Sequence, residues 1–215
     1  MMLRKKCFTL RLGFSVMVSL LVVPGVHTQS TSGTRLPAQK FSDSGSRPVF
    51  HIQDDAYLIA YQDVLRILAD KNTCSDFFGG PEAARAFNEL AVQMTKRYSG
   101  DESGIRMYGR QTTVQNANSS VHYRLFERAE INGRGSFFHA NLLGETPKTP
   151  AVGRFSPNTR EARILMLLHE LGHLIEVAPG HWLLPNDGND PTQSQDNTWT
   201  VLKHCDQSIS RVMRK

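Results

Sequence analysis

The sequence predicts an α+β domain over residues 51–215, with two helices, a small mostly antiparallel sheet, and two more helices in that order. Three observations lead there. Apolar residues recur at helical spacing near both ends of this region. The middle instead carries short β-prone runs divided by Gly and Asn clusters. The strands are grouped rather than alternated with helices, the pattern of an α+β layout, and about 165 residues suffice to bury a core.

In chain order, residues 1–28 read as an export signal. Arg4, Lys5, Lys6 and Arg11 form a basic start, the apolar run Leu12–Val23 follows, and Pro24 and Gly25 break it. A run of about a dozen apolar residues has signal-peptide length and is short for a membrane span, so cleavage near Thr28 is expected, with an uncleaved anchor as the alternative. Residues 29–50, rich in Ser, Thr, Gly and Gln, read as a flexible tether. Leu58, Ile59, Tyr61, Val64, Leu65 and Leu68 predict a helix from Asp54 to Lys71, with Asp54 and Asp55 suited to its start. After the Gly79-Gly80-Pro81 turn, Ala84, Phe87, Leu90, Ala91 and Met94 mark one side of a second helix. Ile105–Tyr108, Val121–Phe126 and Ser136–Leu142 are the expected strands, and 144–159 a loop. Thr159 is placed to cap a helix running to about Val177, and a last helix is expected from Gln193 to Val212.

Charge and cysteine usage narrow the function. Four of the 25 basic residues lie in the leader, leaving 21 against 20 acids, so the sequence pI of 9.3 reflects the leader. A nearly neutral remainder gives no basis for a nucleic-acid or anionic-membrane partner. Cys7 also lies in the leader. In an oxidising compartment the other two cysteines, Cys74 and Cys205, can pair and tie the first helical segment to the last; two separate buried thiols are the alternative.

The chemistry concentrates in His169-Glu170-Leu171-Gly172-His173, directly after the apolar run Ile164–Leu168. A helix apolar nearly all round is buried, so the histidines are expected at the floor of a cleft. Histidines four apart share one helical face and can converge on one metal ion, with Zn–N distances of about 2.0–2.1 Å. Glu170, rotated about 100° from His169, is expected to take the proton of a metal-activated water and pass it to the leaving amine. Gly172 would let another segment approach the helix.

The run Leu168–His173 resembles the active-site helix of the zincin metallopeptidases. That resemblance implies zinc held by His169 and His173, Glu170 as general base, a sheet upstream, and an edge strand that receives an extended substrate. It rests on five residues and is a superfamily likeness. Leu184-Pro185-Asn186-Asp187-Gly188, followed by Ser194, Asn197, Thr198, Val201 and Cys205, is also similar to uncharacterised bacterial secreted proteins with the same helix.

A catalytic zinc takes three protein ligands and one open position. The metzincin pattern would place glycine at 176 and histidine at 179; Glu176 and Pro179 stand there instead. Asp187, fourteen residues after His173 and beyond a Pro-Gly reversal, leads as third ligand. The spacing is similar to aspartate-ligand zincins, although their Gly-Thr-x-Asp pattern is absent. His181, Asp190 and Glu176 stay open as alternatives. Tyr123 or His122 are weaker candidates to stabilise an oxyanion, His139 and Asn141 to line the cleft from an edge strand, and Ser194 and Asn197 to brace the last helix against the Asp187 loop. The expected function is zinc-dependent peptide hydrolysis outside the cytoplasm, secreted or periplasmic. A non-catalytic zinc-stabilised binding or envelope protein, and a zinc hydrolase of a non-peptide amide, are the competing readings.

Overall fold

The computed structural model describes residues 49–98, 104–115, 121–141 and 148–214; the predicted leader and nearly all of the predicted tether lie outside them. The described chain has the α+β architecture expected. Among the described residues packing begins at Phe50, ahead of the helix predicted from Asp54: its ring lies 4.7 Å from that of Tyr61, and Ile52 is buried.

Helix α1 (Asp55–Ala69) is capped by Asp54, whose carboxylate accepts the Ala56 N–H. Its buried stripe is Tyr57, Ala60, Tyr61, Val64, Ile67 and Leu68, rotated slightly from the predicted one, so that Ile59 faces solvent. A short helix α2 (Thr73–Phe77), absent from the sequence reading, starts in a capping box between Asn72 and Ser75. Helix α3 (Ala83–Gln93) stops one residue before Met94, which opens strand β1 (Met94–Arg97). The expected strands at Ile105 and Val121 are longer than read, giving β2 (Ile105–Val114) and β3 (His122–Asn132).

β3 organises the sheet. It pairs antiparallel with β2 along its length, parallel with β1 at its C-terminal end, and antiparallel with β4 (Ile175–Ala178) at its start. β4 in turn pairs antiparallel with β5 (His181–Trp182). The register of β2 shifts between Tyr108 and Gln111, and Gly109 there has φ 89°. A Cβ at that position would sit 2.8 Å from Glu127 Cβ, so the shift requires glycine.

Two expectations fail. Ser136–Leu142 is not a strand: residues 136–138 form a turn, with Phe138 and His139 N–H groups bonding back to the Gly135 carbonyl, and Leu142 lies outside the described residues. Phe137 plugs the core beside Tyr57, and burying one ring outweighs the β propensity of the run. The helix from Thr159 ends at Leu174 rather than Val177, giving α4 (Arg160–Leu174); from Ile175 the backbone is extended and joins the sheet as β4. β-branched Ile175 and Val177, followed by Pro179, favour that exit.

α4 runs through the middle of the domain. Thr159 caps it, with its hydroxyl accepting the Ala162 N–H. Its apolar run Ile164–Leu168 is buried all round, against α1, α3, α5 and β3. Arg160 clamps its first turn to α1 through two hydrogen bonds, 2.6 and 2.7 Å, to the fully buried Asp63 carboxylate. At the far end the buried Arg124 donates from Nε to the His173 carbonyl at 2.8 Å, and its guanidinium lies 4.0 Å from the Trp182 ring centre. α4 is thus fixed at both ends before its histidines do anything.

Helix α5 (Pro191–Val212) begins two residues earlier than predicted, with Pro191 in its first turn and Asp190 as N-cap. Cys205 of α5 and Cys74 of α2 form a disulfide across 131 residues of sequence. A cross-link of that span typically contributes about 2–4 kcal/mol, chiefly by restricting the unfolded chain. No helix among the described residues is long and apolar enough to cross a membrane.

Candidate metal centre

His169 and His173 project from one face of α4, at 6% and 4% exposure. Their Nε2 atoms are 3.0 Å apart. Asp187, from the loop before α5, completes a triangle: its Oδ2 is 3.1 Å from His169 Nε2 and 3.4 Å from His173 Nε2. Three ligating atoms that converge on one point form a cluster able to hold a metal ion. Among the described residues, no other group of three or more His, Cys, Asp or Glu side chains is disposed in this way.

Gly172 brings Asp187 there. The Leu184 N–H bonds the Gly172 carbonyl at 3.1 Å, and the Leu184 side chain lies over the glycine. A Cβ on residue 172 would fall 2.5 Å from Leu184 Cδ1 and 2.6 Å from Cγ. The close approach expected at this glycine is therefore made by the loop that, three residues on, delivers Asp187. Gly172→Ala gains up to about 1 kcal/mol of helix propensity, but overpacking a filled site costs about 1–3 kcal/mol. With Leu184 buried and both its Cδ1 and Cγ inside 3.0 Å of the added carbon, the second effect wins. Gly172→Ala is expected to lower unfolding stability by up to about 2 kcal/mol and to weaken metal binding, measured by urea unfolding and metal titration on the same preparation.

The other candidate ligands are committed elsewhere. Glu176 is on β4, where its carboxylate accepts the Gly180 N–H at 2.7 Å and lies 3.8 Å from His122. Asp190 caps α5, accepting the N–H groups of Thr192 and Gln193. His181 is exposed on β5 and is not in the cluster. The weaker candidates separate as well. Tyr123 is buried, with its phenol influenced by Glu89 and Arg85 of α3, and burial pushes its pKa well above the ordinary value. His139 and Asn141 are not on a strand, and the Asn141 amide bonds the Thr149 carbonyl at 2.9 Å. Asn197 does brace the loop: fully within α5 and buried, it donates to the Pro185 carbonyl at 2.9 Å.

Electrostatics reflect the convergence. Burial would raise the Asp187 carboxyl, but hydrogen bonds and charge from His169 and His173 outweigh it and hold the group well below the usual carboxylate range. Burial would lower His173, yet the Asp187 hydrogen bond and the charges of Glu170 and Asp187 raise it on balance. Glu170 is partly buried; loss of solvent pushes its carboxyl upward, with His169 and His173 opposing. A carboxyl raised in this way is a stronger proton acceptor than a solvated one.

One contact in the site went unread in the sequence except as part of a resemblance. The Thr198 hydroxyl lies 2.9 Å from His169 Nδ1. Its placement four residues after Ser194 on α5 gives only the ordinary signal of a helical threonine.

Comparison with known proteins adds no relative: no family model, no curated protein and no solved structure matches this chain.

Proposed function

We propose that the chain is an exported zinc hydrolase of the zincin type that cleaves peptide bonds, with His169, His173 and Asp187 as ligands and Glu170 as general base. The observation that carries this reading is the spacing of the three ligand atoms, 3.0, 3.1 and 3.4 Å. At ligand distances of about 2.0–2.1 Å, the edges of a zinc-centred tetrahedron are about 3.3 Å. Two imidazoles and one carboxylate leave the fourth corner open, as catalytic rather than structural zinc requires. The same donor types make the facial triad of mononuclear iron(II) sites. Glu170, a carboxylate beside the ligands that such a triad does not need, favours hydrolysis.

When bound, zinc supplies the Lewis acidity that makes water a nucleophile near neutral pH. The rest falls to the chain. His169, His173 and Asp187 would hold the ion at α4, where both histidines are nearly fully buried. Glu170 accepts the proton of the attacking water and returns it to the departing amine, so that one peptide bond and one water become an acid and an amine. Among the described strands, β2 pairs only with β3, leaving an edge to which an extended substrate can add. Gly104, immediately before β2, packs against Met166 of α4, three residues before His169, which brings that end of the strand to the active-site helix. The basic, apolar leader and the Cys74–Cys205 disulfide support an oxidising compartment outside the cytoplasm.

The deciding experiment is metal analysis of the purified protein, together with cleavage of a reduced, alkylated protein substrate before and after chelation. One zinc per chain and cleavage that is lost on chelation and restored by zinc are expected. A metal-free protein sinks the reading, and iron in the site sinks the zinc assignment. Zinc without cleavage leaves the non-catalytic, zinc-stabilised alternative standing.

A further inference from the structure

We propose that Thr198 of α5 is the positioning residue that holds His169 in the tautomer able to bind a metal; the inference rests on the zinc reading above. A histidine ligand must present a bare nitrogen to the ion, so its proton must sit on the other ring nitrogen. The hydrogen bonds around Thr198 decide which nitrogen that is. The Thr198 hydroxyl donates its one proton to the Ser194 carbonyl, 2.9 Å away. Toward His169 Nδ1, also at 2.9 Å, the same oxygen can then only accept. Nδ1 therefore carries a proton, and Nε2, the nitrogen that faces Asp187 and His173, is the one left to bind a metal ion.

Two further observations separate this from the ordinary back-bonding of a helical threonine. The partner histidine has no such control: among the described residues, His173 Nδ1 is buried and meets no hydrogen-bond partner. The burden of orienting the pair thus falls on His169. The methyl of Thr198 lies instead beside Gly153, 3.5 Å from where a Cβ would stand there, and the hydroxyl is the branch that meets His169. The neighbouring residue acts on the opposite side of the triangle. Asn197, buried, grips the Pro185 carbonyl and accepts from Gln193, which sets the loop two residues before Asp187. Consecutive residues of α5 thereby hold a histidine from α4 and the loop that carries the acid, so α5 sets the geometry of a site to which it contributes no ligand.

The test compares Thr198→Val, which keeps the shape and removes the hydroxyl, with Thr198→Ser, which keeps the hydroxyl and removes the methyl. Zinc affinity is measured by competition with a chromophoric chelator on the full purified chain. The visible spectrum of the cobalt(II)-substituted protein is recorded beside it. Loss of a hydrogen bond to a ligating imidazole typically costs about 10–100-fold in metal affinity. Thr198→Val is expected to fall by that factor and to shift the cobalt bands, with metal-free melting unchanged. Thr198→Ser is expected to keep the parent's affinity and spectrum. Thr198→Ala repeats the comparison if the valine variant does not fold. Equal zinc affinity in Thr198→Val and the parent overturns the proposal, as does a serine variant as weak as the valine one, since packing rather than the hydroxyl would then be at work. A parent that binds no zinc overturns the zinc reading itself, which the variants alone cannot do.

Discussion

Asp187→Ala is expected to strip the metal from the purified protein while leaving the fold in place. Changing a group that merely orients a ligand costs about 10–100-fold in affinity; removing a ligand outright costs more, because two imidazoles from one helical face leave two corners of the ion to solvent. The fold should survive because Asp187 lies in a loop whose docking comes from other contacts, Leu184 on Gly172 and Asn197 on the Pro185 carbonyl. Three controls fix the assignment. His181→Ala and Glu176→Ala should retain the metal, the former because its side chain is exposed on β5 and the latter because its carboxylate serves the Gly180 turn. Asp190→Ala should also retain it, at a cost of about 1 kcal/mol in stability for the lost N-cap of α5. Metal content after gel filtration, read against melting curves, checks all four. A metal-replete Asp187→Ala, or a metal-free variant among the controls, would move the third ligand elsewhere.

What was legible beforehand follows the range of the interactions involved. The pairing of His169 with His173 is a property of five consecutive residues, and the Thr159 cap of four, so local spacing was enough to place both. The capping box at Asn72 was equally local, but its N3 partner is Ser75 rather than Glu or Gln, and the short helix it starts passed unread. Asp187 was harder. Sequence offered four acids and histidines within reach, and only folding separates them: Glu176 goes to a strand that begins where the helix was expected to continue, Asp190 to a cap three residues upstream of the expected helix start, and His181 to an exposed place on β5. β1 was hidden for a similar reason. Met94 fits the apolar stripe of α3, and its exit into a parallel ladder with Ala129 depends on a partner 35 residues away. Phe137 shows the converse, where local β propensity was plain and tertiary burial overrode it. Thr198 carried no signal beyond the resemblance because its contact with His169 depends on α5 lying beside α4, a relation that no spacing within either helix encodes.

Glu170→Gln is expected to keep the metal and abolish turnover. Glu170 is not among the three converging ligands, so the substitution should leave zinc content and cobalt spectrum at parental values. Glutamine has nearly the volume of glutamate and fits the same partly buried position, and with no charge to desolvate it should if anything raise stability slightly, since burial already disfavours the ionised Glu170. It cannot accept a proton. General acid–base catalysis by one positioned side chain contributes about 10²–10⁴-fold, and here the same carboxylate would act twice, removing the proton of the nucleophile and delivering it to the leaving amine. The loss should therefore lie at the upper end of that range, in kcat rather than KM, with peptide substrate still bound. The split distinguishes the proposed base from a residue that only shapes the cleft, which would raise KM and leave kcat near its original value. Glu170→Asp sharpens the comparison: it keeps the carboxylate but withdraws it by one methylene, and should recover part of the rate without changing metal content. Full activity in Glu170→Gln would leave the metal cluster intact and remove the mechanism, since the one carboxylate in that cluster, Asp187, is itself a ligand in this reading.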